Sequence, residues 1–276
     1  MTLDLASKEL SLRHELTSLG RVVVAYSGGV DSTFLAAMAH DVLGEGAVAV
    51  TAVSPSLARK ELAAASRVAR ERGWKHMTIE TSELKREEYR RNDPDRCYWC
   101  KTELFEVLGP VAASLSARVA VGTNTDDLDD HRPGQRAARE NEVVTPLVAA
   151  GLTKADVRAL SGELGLPTAD KPSSPCLSSR FAYGVEVTED GLRRIEEAES
   201  ALHELGFKVL RVRDHGGGLA RVEVPVEDVG EAAIQARAID GALRRAGFRY
   251  VALDLAGFRS GSMNEVLSPP RLKPSC

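Results

Sequence analysis

The sequence predicts an α/β protein, in which a parallel sheet with helices on both faces is followed by a second, smaller α+β domain. In the first part of the chain, short apolar runs alternate with segments of helical periodicity, as they do in parallel sheets. The first such run, Val22 to Ala25, leads directly into a glycine-containing turn and a helix, which is typical of a ligand-binding βα unit. From about Gly184 the order changes to helix, strand, strand, helix, strand. We therefore expect domains over 1–183 and 184–276.

The elements of the first domain follow from its hydrophobic periodicity. An amphipathic segment opens the chain, and we expect a helix over 5–19. The expected strands cover 22–25, 47–53, 75–79 and 119–121, and the later helices cover 59–72 and 154–164. The residues from Tyr89 to Lys101 are rich in charge, which predicts a loop followed by a helix to about Ser116.

The second domain has fewer elements, and it is expected to help bind substrate and to make contacts in a homo-oligomer. Its expected helices cover 189–205 and 229–246, and its expected strands cover 208–213, 219–224 and 250–255.

Composition narrows the classes of function. The chain has 276 residues, of which 43% are apolar, and a formal net charge of −4. An acidic balance disfavours a nucleic-acid partner. No apolar run approaches the roughly 18 residues of a membrane span, and the charged N-terminal segment does not resemble a signal peptide. We expect a cytoplasmic protein with no membrane partner.

The turn at 27–32, with the sequence SGGVDS, predicts a phosphate site. Glycines let the backbone approach an anion, and the N-terminus of the following helix presents N–H groups to it. No Walker motif is present, so the phosphates of ATP would be bound by backbone amides and by Ser27, Gly28, Gly29 and Ser32. Asp31 is then predicted to hold magnesium. The alternative is a glycine turn in which Asp31 and Ser32 cap the helix.

Further residues of the nucleotide site are expected at the ends of neighbouring strands. Ser54 follows the second strand, while Gly122 and Asn124 follow the strand at 119–121. Asp127 lies on the same turn as Asn124 and is predicted to complete magnesium coordination with Asp31. The acidic run around Asp127 fits a solvated loop equally well.

Three cysteines predict a metal cluster. Cys97 and Cys100 form a CxxC pair, and Cys176 follows much later in a loop rich in proline and serine. Three thiols are one short of a structural zinc site, and they match a 4Fe-4S cluster with one open iron. Cys276 is a weak candidate for a fourth ligand. A redox pair is disfavoured because the CxxC is expected in a loop, and an incidental origin stays open.

The surroundings of Cys176 predict a reactive thiol. The cationic residues Lys171 and Arg180 lie nearby in the sequence and would favour the thiolate. A sulfur nucleophile in an ATP-using protein points to thiolation.

The turn at 27–32 resembles that of the PP-loop ATP pyrophosphatases, which have an adenine-nucleotide α-hydrolase-like fold. Four further segments narrow the resemblance to the LarE-type sulfur transferases, and they cover 122–137, 176–180 (CLSSR), 211–215 (RVRDH) and 257–265. The resemblance implies an enzyme that uses ATP and Mg²⁺ to adenylylate the carboxylates of pyridinium-3,5-biscarboxylic acid mononucleotide. The products are thiocarboxylates, which are used to make the nickel-pincer nucleotide, the cofactor of lactate racemase.

Two sulfur routes are known in this family. In one, the cysteine at the position of Cys176 gives up its own sulfur. In the other, three cysteines hold a 4Fe-4S cluster whose open iron carries sulfide, and a transient sulfur donor would reload it. Because Cys97 and Cys100 are present beside Cys176, we favour the cluster, and the sacrificial route stays open.

The resemblance also implies a set of substrate-binding residues. Arg211 and Arg213 alternate on a predicted strand and therefore point to one face, where they could bind phosphate or carboxylate. The other members of the set are Ser179, Arg180 and Arg259, and Glu199 is a weaker candidate for contact with substrate or metal. Taken singly, each arginine could equally be an ordinary surface residue. The competing interpretations are a tRNA-thiolating or amidating PP-loop enzyme and a non-catalytic protein that binds ATP or an iron-sulfur cluster.

Overall fold

The computed structural model describes residues 5–128, 133–172 and 174–259. The chain divides into two compact units. The first comprises Met1–Tyr89 with Pro94–Pro175, and the second comprises Arg90–Asp93 with Cys176–Cys276. The assignment of domains to 1–183 and 184–276 stays a prediction. Across the described residues, no helix combines the length and the apolarity needed to cross a membrane.

The first unit contains the predicted parallel sheet. Its strands are β1 (Val22–Ala25), β2 (Ala47–Val53), β3 (His76–Glu80) and β4 (Arg118–Ala120). All three strand pairs are parallel, and the order is β3-β2-β1-β4. The strand order therefore reverses at β1, and the loops that follow β1 and β4 emerge side by side. Such a reversal point is where open α/β sheets bind their ligands.

Helices cover both faces of this sheet. They are α1 (Leu5–Leu19), α2 (Val30–Leu43), α3 (Arg59–Glu71), α4 (Glu87–Arg90), α5 (Arg96–Ser114), α6 (Pro133–Glu140), α7 (Pro146–Ala149) and α8 (Lys154–Glu163). Successive strand residues point to opposite faces. Accordingly, Val22 and Val24 belong to the core formed with α1, α2, α3, α7 and α8, whereas Val23 packs with Leu108 of α5. Burial on both sides explains why the strand is a continuous run of valines.

The CxxC pair lies in a helix, so the prediction of a loop up to Lys101 was wrong. Helix α5 begins at Arg96, and Cys97 and Cys100 lie in its first two turns. Helix α6 packs against these turns so closely that a Cβ on Gly134 would come within 2.9 Å of the Lys101 side chain. Tertiary packing therefore stabilises a helix in spite of the polar character of the segment. Because the CxxC pair lies in a helix, its position does not count against a redox pair.

The second unit contains a helix followed by a small mixed sheet, in the predicted order. Its elements are α9 (Glu189–Glu204), β5 (Arg211–Asp214), β6 (Leu219–Glu223), α10 (Val229–Ile234), α11 (Ala236–Arg245) and β7 (Tyr250–Leu253). Strands β5 and β6 are antiparallel, and β6 and β7 are parallel. The predicted single helix over 229–246 is divided in two at Gln235, where the backbone leaves the helical conformation with ψ at 15°.

Candidate active site

The phosphate loop, residues 27–32, joins β1 to α2. Gly28 has a φ of +70°, and a Cβ there would lie 2.7 Å from the Cβ of Ala65 on α3, so both its conformation and its surroundings require glycine. The hydroxyls of Ser27 and Ser32 are 3.1 Å apart. Gly29 at the N-cap offers no side-chain acceptor to α2. The N-terminus of α2 therefore presents its N–H groups at the reversal point of the sheet, where an anion would bind.

The carboxylate of Asp31 has two neighbours inside this loop. Lys154, the first residue of α8, lies with its Nζ 2.5 Å from Oδ2, and the Asn124 side chain donates to Oδ1 at 3.2 Å. Asn124 is 1% exposed, so its orientation is fixed by the fold. These contacts hold a carboxylate at the mouth of the phosphate loop instead of using it as a helix cap.

The turn after β4 touches the phosphate loop directly. A Cβ on Gly122 would lie 2.8 Å from the Asp31 carbonyl carbon and from the Ser32 nitrogen, so only glycine permits this approach. Farther along the turn, the Asn124 N–H donates to Asp127 Oδ2 at 3.1 Å. Asp127 is therefore linked to Asp31 through Asn124. Their predicted role as magnesium ligands stays a prediction, and the oxygen donors suit that ion.

Ser54 lies directly after β2 and is tied to a buried acid. Its hydroxyl donates to Glu83 Oε1 at 2.5 Å, and the Ser56 hydroxyl donates to the same oxygen at 2.8 Å. Glu83 is 2% exposed. The hydrogen bonds from Ser54 and Ser56 to Glu83 therefore hold the loop after β2 in place. The assignment of Ser54 to the nucleotide site remains a prediction.

Lys171 connects the phosphate loop to α3. Its ammonium group donates to the Gly28 carbonyl at 2.9 Å and lies 2.6 Å from Glu61 Oε2, while the Ser174 hydroxyl donates to Glu61 Oε1 at 3.1 Å. Burial alone would raise the pKa of Glu61, but the hydrogen bonds from Lys171 and Ser174 outweigh it and hold that pKa below its usual range. The lysine therefore stabilises the loop, whereas the sequence analysis assigned it to the surroundings of Cys176.

The three cysteines of the described residues differ in exposure. Cys97 is exposed and Cys100 is half-buried, one turn apart on α5, so both lie on one side of the helix. Cys176 is exposed and begins the second unit. Over the part of the chain that the structure describes, the His, Cys, Asp and Glu side chains form no group of three or more that could hold a metal ion. Cys276 lies outside the described residues.

A short 3-10 helix covers Leu177–Arg180 with Cys176 at its N-cap, and we call residues 176–180 the Cys176 turn. Arg180 at its end is 3% exposed and makes a fork-shaped ion pair with Glu199 of α9, at 3.0 Å from Nε to Oε1 and 3.1 Å from Nη2 to Oε2. Its third nitrogen, Nη1, donates to the Cys176 carbonyl and to the Ser179 hydroxyl, each at 3.1 Å. Glu199, predicted as a substrate ligand, is 4% exposed.

A second buried pair lies on β5 and β6. Arg213 donates through Nε and Nη2 to Glu223 Oε2, at 2.9 and 2.8 Å, and through Nη1 to the Ser179 carbonyl at 3.0 Å. Glu223 is fully buried, and its other oxygen lies 2.9 Å from Arg221. Glu223 was not predicted as a site residue, because alternation along β6 places it on the face of Arg221, opposite to the buried Ala220 and Val222.

Among the predicted substrate ligands, Arg211 is the one whose positive charge is disfavoured by its surroundings. Burial, and the positive charges of Arg180 and Arg213 beside it, lower the pKa of its guanidinium to about 10. The guanidinium lies 5.2 Å from the centre of the Phe258 ring. Arg259 donates to the Gly257 carbonyl at 3.1 Å. A surplus of positive charge of this kind favours an anion, and binding of substrate by these residues stays a prediction.

Lys154 and Glu61 were missed in the sequence analysis. Lys154 follows Thr153, which together with Asp156 forms a capping box at the start of α8. That motif could have located the helix start, but not the neighbour of the lysine, because Asp31 lies 123 residues away in the sequence.

The sequence of the chain is similar to those of several known proteins. A family described as asparagine synthase matches residues 9–115, which contain the phosphate loop. A protein from Synechocystis sp. without a stated activity is 44% identical over 96% of this chain and 99% of its own length. The pyridinium-3,5-bisthiocarboxylic acid mononucleotide synthase of Lactiplantibacillus plantarum is 39% identical over 97% of this chain and 98% of its own.

More distant similarity extends to enzymes of RNA modification. The tRNA-specific 2-thiouridylase of Azorhizobium caulinodans is 33% identical over 58% of this chain and 52% of its own length. This similarity leaves out a large part of both proteins.

Proposed function

The chain belongs to the LarE-type sulfur transferases of the PP-loop ATP pyrophosphatase superfamily, and we propose that it converts the carboxylates of pyridinium-3,5-biscarboxylic acid mononucleotide to thiocarboxylates at the expense of ATP. The observation that carries the proposal is the close packing at the phosphate loop. No Cβ fits on Gly28 of this loop or on Gly122 of the turn that touches it. The synthase from L. plantarum, similar over nearly its whole length, supports the choice of substrate.

The chemistry begins at the phosphate loop. A substrate carboxylate attacks the α-phosphate of ATP, and pyrophosphate leaves with the bonding electrons. The N–H groups at the start of α2 and the hydroxyls of Ser27 and Ser32 bind the phosphate oxygens and stabilise the charge on the leaving group. Asp31 and Asp127 would hold magnesium, which neutralises the phosphates when it is bound. Sulfur then replaces AMP at the activated carbonyl carbon.

We propose Cys97, Cys100 and Cys176 as ligands of a 4Fe-4S cluster that supplies the sulfur. One observation supports this choice: the CxxC thiols lie on one side of α5. The sacrificial route, in which Cys176 gives up its own sulfur, is the second candidate and requires neither Cys97 nor Cys100.

Iron and acid-labile sulfide, measured on protein purified without oxygen, separate the two sulfur routes. The cluster predicts about four irons per chain and their loss in Cys97→Ala, with Cys276→Ala as the matched control that retains them. The sacrificial route predicts no iron, and a mass loss of one hydrogen sulfide at Cys176 after incubation with ATP, magnesium and substrate.

Pyrophosphate release tests the function as a whole. Release that depends on the pyridinium mononucleotide supports the proposal, and release that depends on tRNA instead would establish a tRNA-thiolating enzyme. Binding of ATP without any release would make the protein a non-catalytic binder. We also propose a cytoplasmic homo-oligomer with no nucleic-acid partner, reloaded by a transient sulfur donor.

A further inference from the structure

We propose that the buried pairs Arg180–Glu199 and Arg213–Glu223 position the Cys176 turn, so that the thiol is presented while the backbone beside it is fixed. The inference rests on the role of Cys176 in the proposed function. It gives these four residues a different task from the one predicted by sequence, in which Arg180, Arg213 and Glu199 bind substrate. Glu223 is new to the site.

The first line of support is the Cys176 carbonyl. Three donors converge on this one oxygen: the Ser179 N–H at 3.0 Å, the Ser179 hydroxyl at 2.8 Å and Arg180 Nη1 at 3.1 Å. Such convergence fixes the peptide plane next to the cysteine. The Cys176 side chain itself remains exposed.

The other end of the Cys176 turn is also held by hydrogen bonds. The Ser179 carbonyl accepts from Arg213 Nη1 at 3.0 Å, and the chain beyond the turn pairs with β5 through the bridge between Phe181 and Asp214. Buried groups therefore attach both ends of the Cys176 turn to the rest of the second unit.

The third line is how the two arginines are held. Each directs Nε and Nη2 at a buried carboxylate and Nη1 at a carbonyl of the Cys176 turn. A planar guanidinium has its donors in a fixed fork, so fixing two nitrogens also aims the third. Glu199 and Glu223 thus act on Cys176 through Arg180 and Arg213, and Arg221 holds the second oxygen of Glu223 at 2.9 Å.

The geometry predicts an effect on one step of the reaction. Transfer of sulfur forms a bond from sulfur to the activated carbon while the bond to AMP breaks, and a misplacement of about 1 Å costs on the order of a hundredfold in such a step. In the proposed function, adenylylation takes place at the phosphate loop, which shares no residue with the Cys176 turn. The pairs should therefore matter for sulfur transfer and not for pyrophosphate release.

The direct test is hydrogen–deuterium exchange followed by mass spectrometry on the full-length protein. In Glu223→Gln, we expect the peptide covering 176–183 to exchange faster by about tenfold, while peptides from β1 and β2 are unchanged. Glu197→Gln, an exposed acid on α9, is the matched control and should change neither. Faster exchange throughout the variant would mean general destabilisation and would overturn the inference, as would an unchanged 176–183 peptide.

A milder variant covers the case in which Glu223→Gln fails to fold. Ser179→Ala removes one of the three donors to the Cys176 carbonyl without leaving a buried charge. We expect its 176–183 peptide to exchange about threefold faster than in the unaltered protein. No change in that peptide would contradict the inference.

Kinetics separate positioning from substrate binding. In Glu223→Gln we expect the burst of pyrophosphate and its half-saturating substrate concentration to stay within about twofold, and the formation of thiocarboxylate to fall by at least about tenfold. A rise in half-saturation, with both steps slowed together, would return Arg213 to the role of substrate ligand. If the unaltered protein releases no pyrophosphate, the proposed function fails, and the exchange experiment still decides the positioning of the turn.

Discussion

Lys154 lies against Asp31, with the ammonium nitrogen 2.5 Å from Oδ2, at the point where the phosphate loop enters α2. The pair joins the start of α8 to the start of α2, and both side chains are partly exposed, at 39% and 23%. Exposed pairs contribute little to stability, typically about 0–1 kcal/mol. The position of Lys154 is therefore better explained by phosphate chemistry than by folding.

Replacement of Lys154 by Met should weaken the use of ATP without unfolding the protein. The cation lies 2.5 Å from Asp31 of the predicted phosphate loop. If it stabilises the charge of the leaving pyrophosphate, pyrophosphate release should fall by about a hundredfold while the free energy of unfolding changes by less than about 1 kcal/mol. Lys8→Met is the matched control, because Lys8 makes a similar pair with Asp156, also at 2.5 Å, away from the loop. Equal losses of activity in the two variants would remove Lys154 from the site.

Gly122→Ala should weaken nucleotide binding, because its Cβ would lie 2.8 Å from the backbone of Asp31 and Ser32. The backbone would have to move where the phosphates bind, and overpacking of this kind costs about 1–3 kcal/mol. Gly162→Ala, inside α8 with no atom within 4 Å of the new Cβ, is the control and should stabilise the helix by about 0.5–1 kcal/mol. Calorimetric titration with ATP and magnesium measures the difference, and unchanged affinity in Gly122→Ala would show that the turn after β4 lies outside the nucleotide site.

Local sequence patterns predicted the elements around the phosphate loop well. The valine run of β1 and the glycines after it specify a strand, a turn and a helix with little help from the rest of the chain, and the parallel sheet was confirmed. The predicted start of α5 was wrong, because the true start depends on packing against α6. Neighbouring residues in the sequence carry no information about that contact. Similarly, the contacts of Lys154 with Asp31 and of Arg213 with Glu223 depend on topology and strand register, which only the folded chain supplies.

Acid should loosen the phosphate loop through Glu61. The pKa of this carboxyl lies below its ordinary value of 4.5, so the folded state binds fewer protons than the unfolded state over the interval below 4.5. The stabilisation from Glu61 is therefore complete above that value and disappears as the pH falls through the lower pKa of the folded state.

The measurement for Glu61 is the free energy of unfolding as a function of pH. We expect the unaltered protein to lose stability below about pH 4.5, and the difference between it and Glu61→Gln to shrink over the same interval. Glu197→Gln, on an exposed face of α9, supplies the control curve. A difference that is independent of pH would mean that the carboxylate form of Glu61 does not stabilise the loop.

Arg211 should oppose folding while favouring the anion that it binds. Its pKa of about 10 lies below the ordinary value of a guanidinium, because burial and the charges of Arg180 and Arg213 disfavour its charged form. At neutral pH the folded protein therefore carries a destabilised cation, and Arg211→Met should raise the free energy of unfolding by about 1 kcal/mol, since partial exposure screens the effect. The same change should raise the half-saturating concentration of a phosphate-bearing substrate by about tenfold. Arg244→Met, which removes an exposed arginine paired with Asp240, is the control and should do neither. A lower stability in Arg211→Met would mean that the ring of Phe258 and the nearby acids already compensate the charge, so that no anion is needed there.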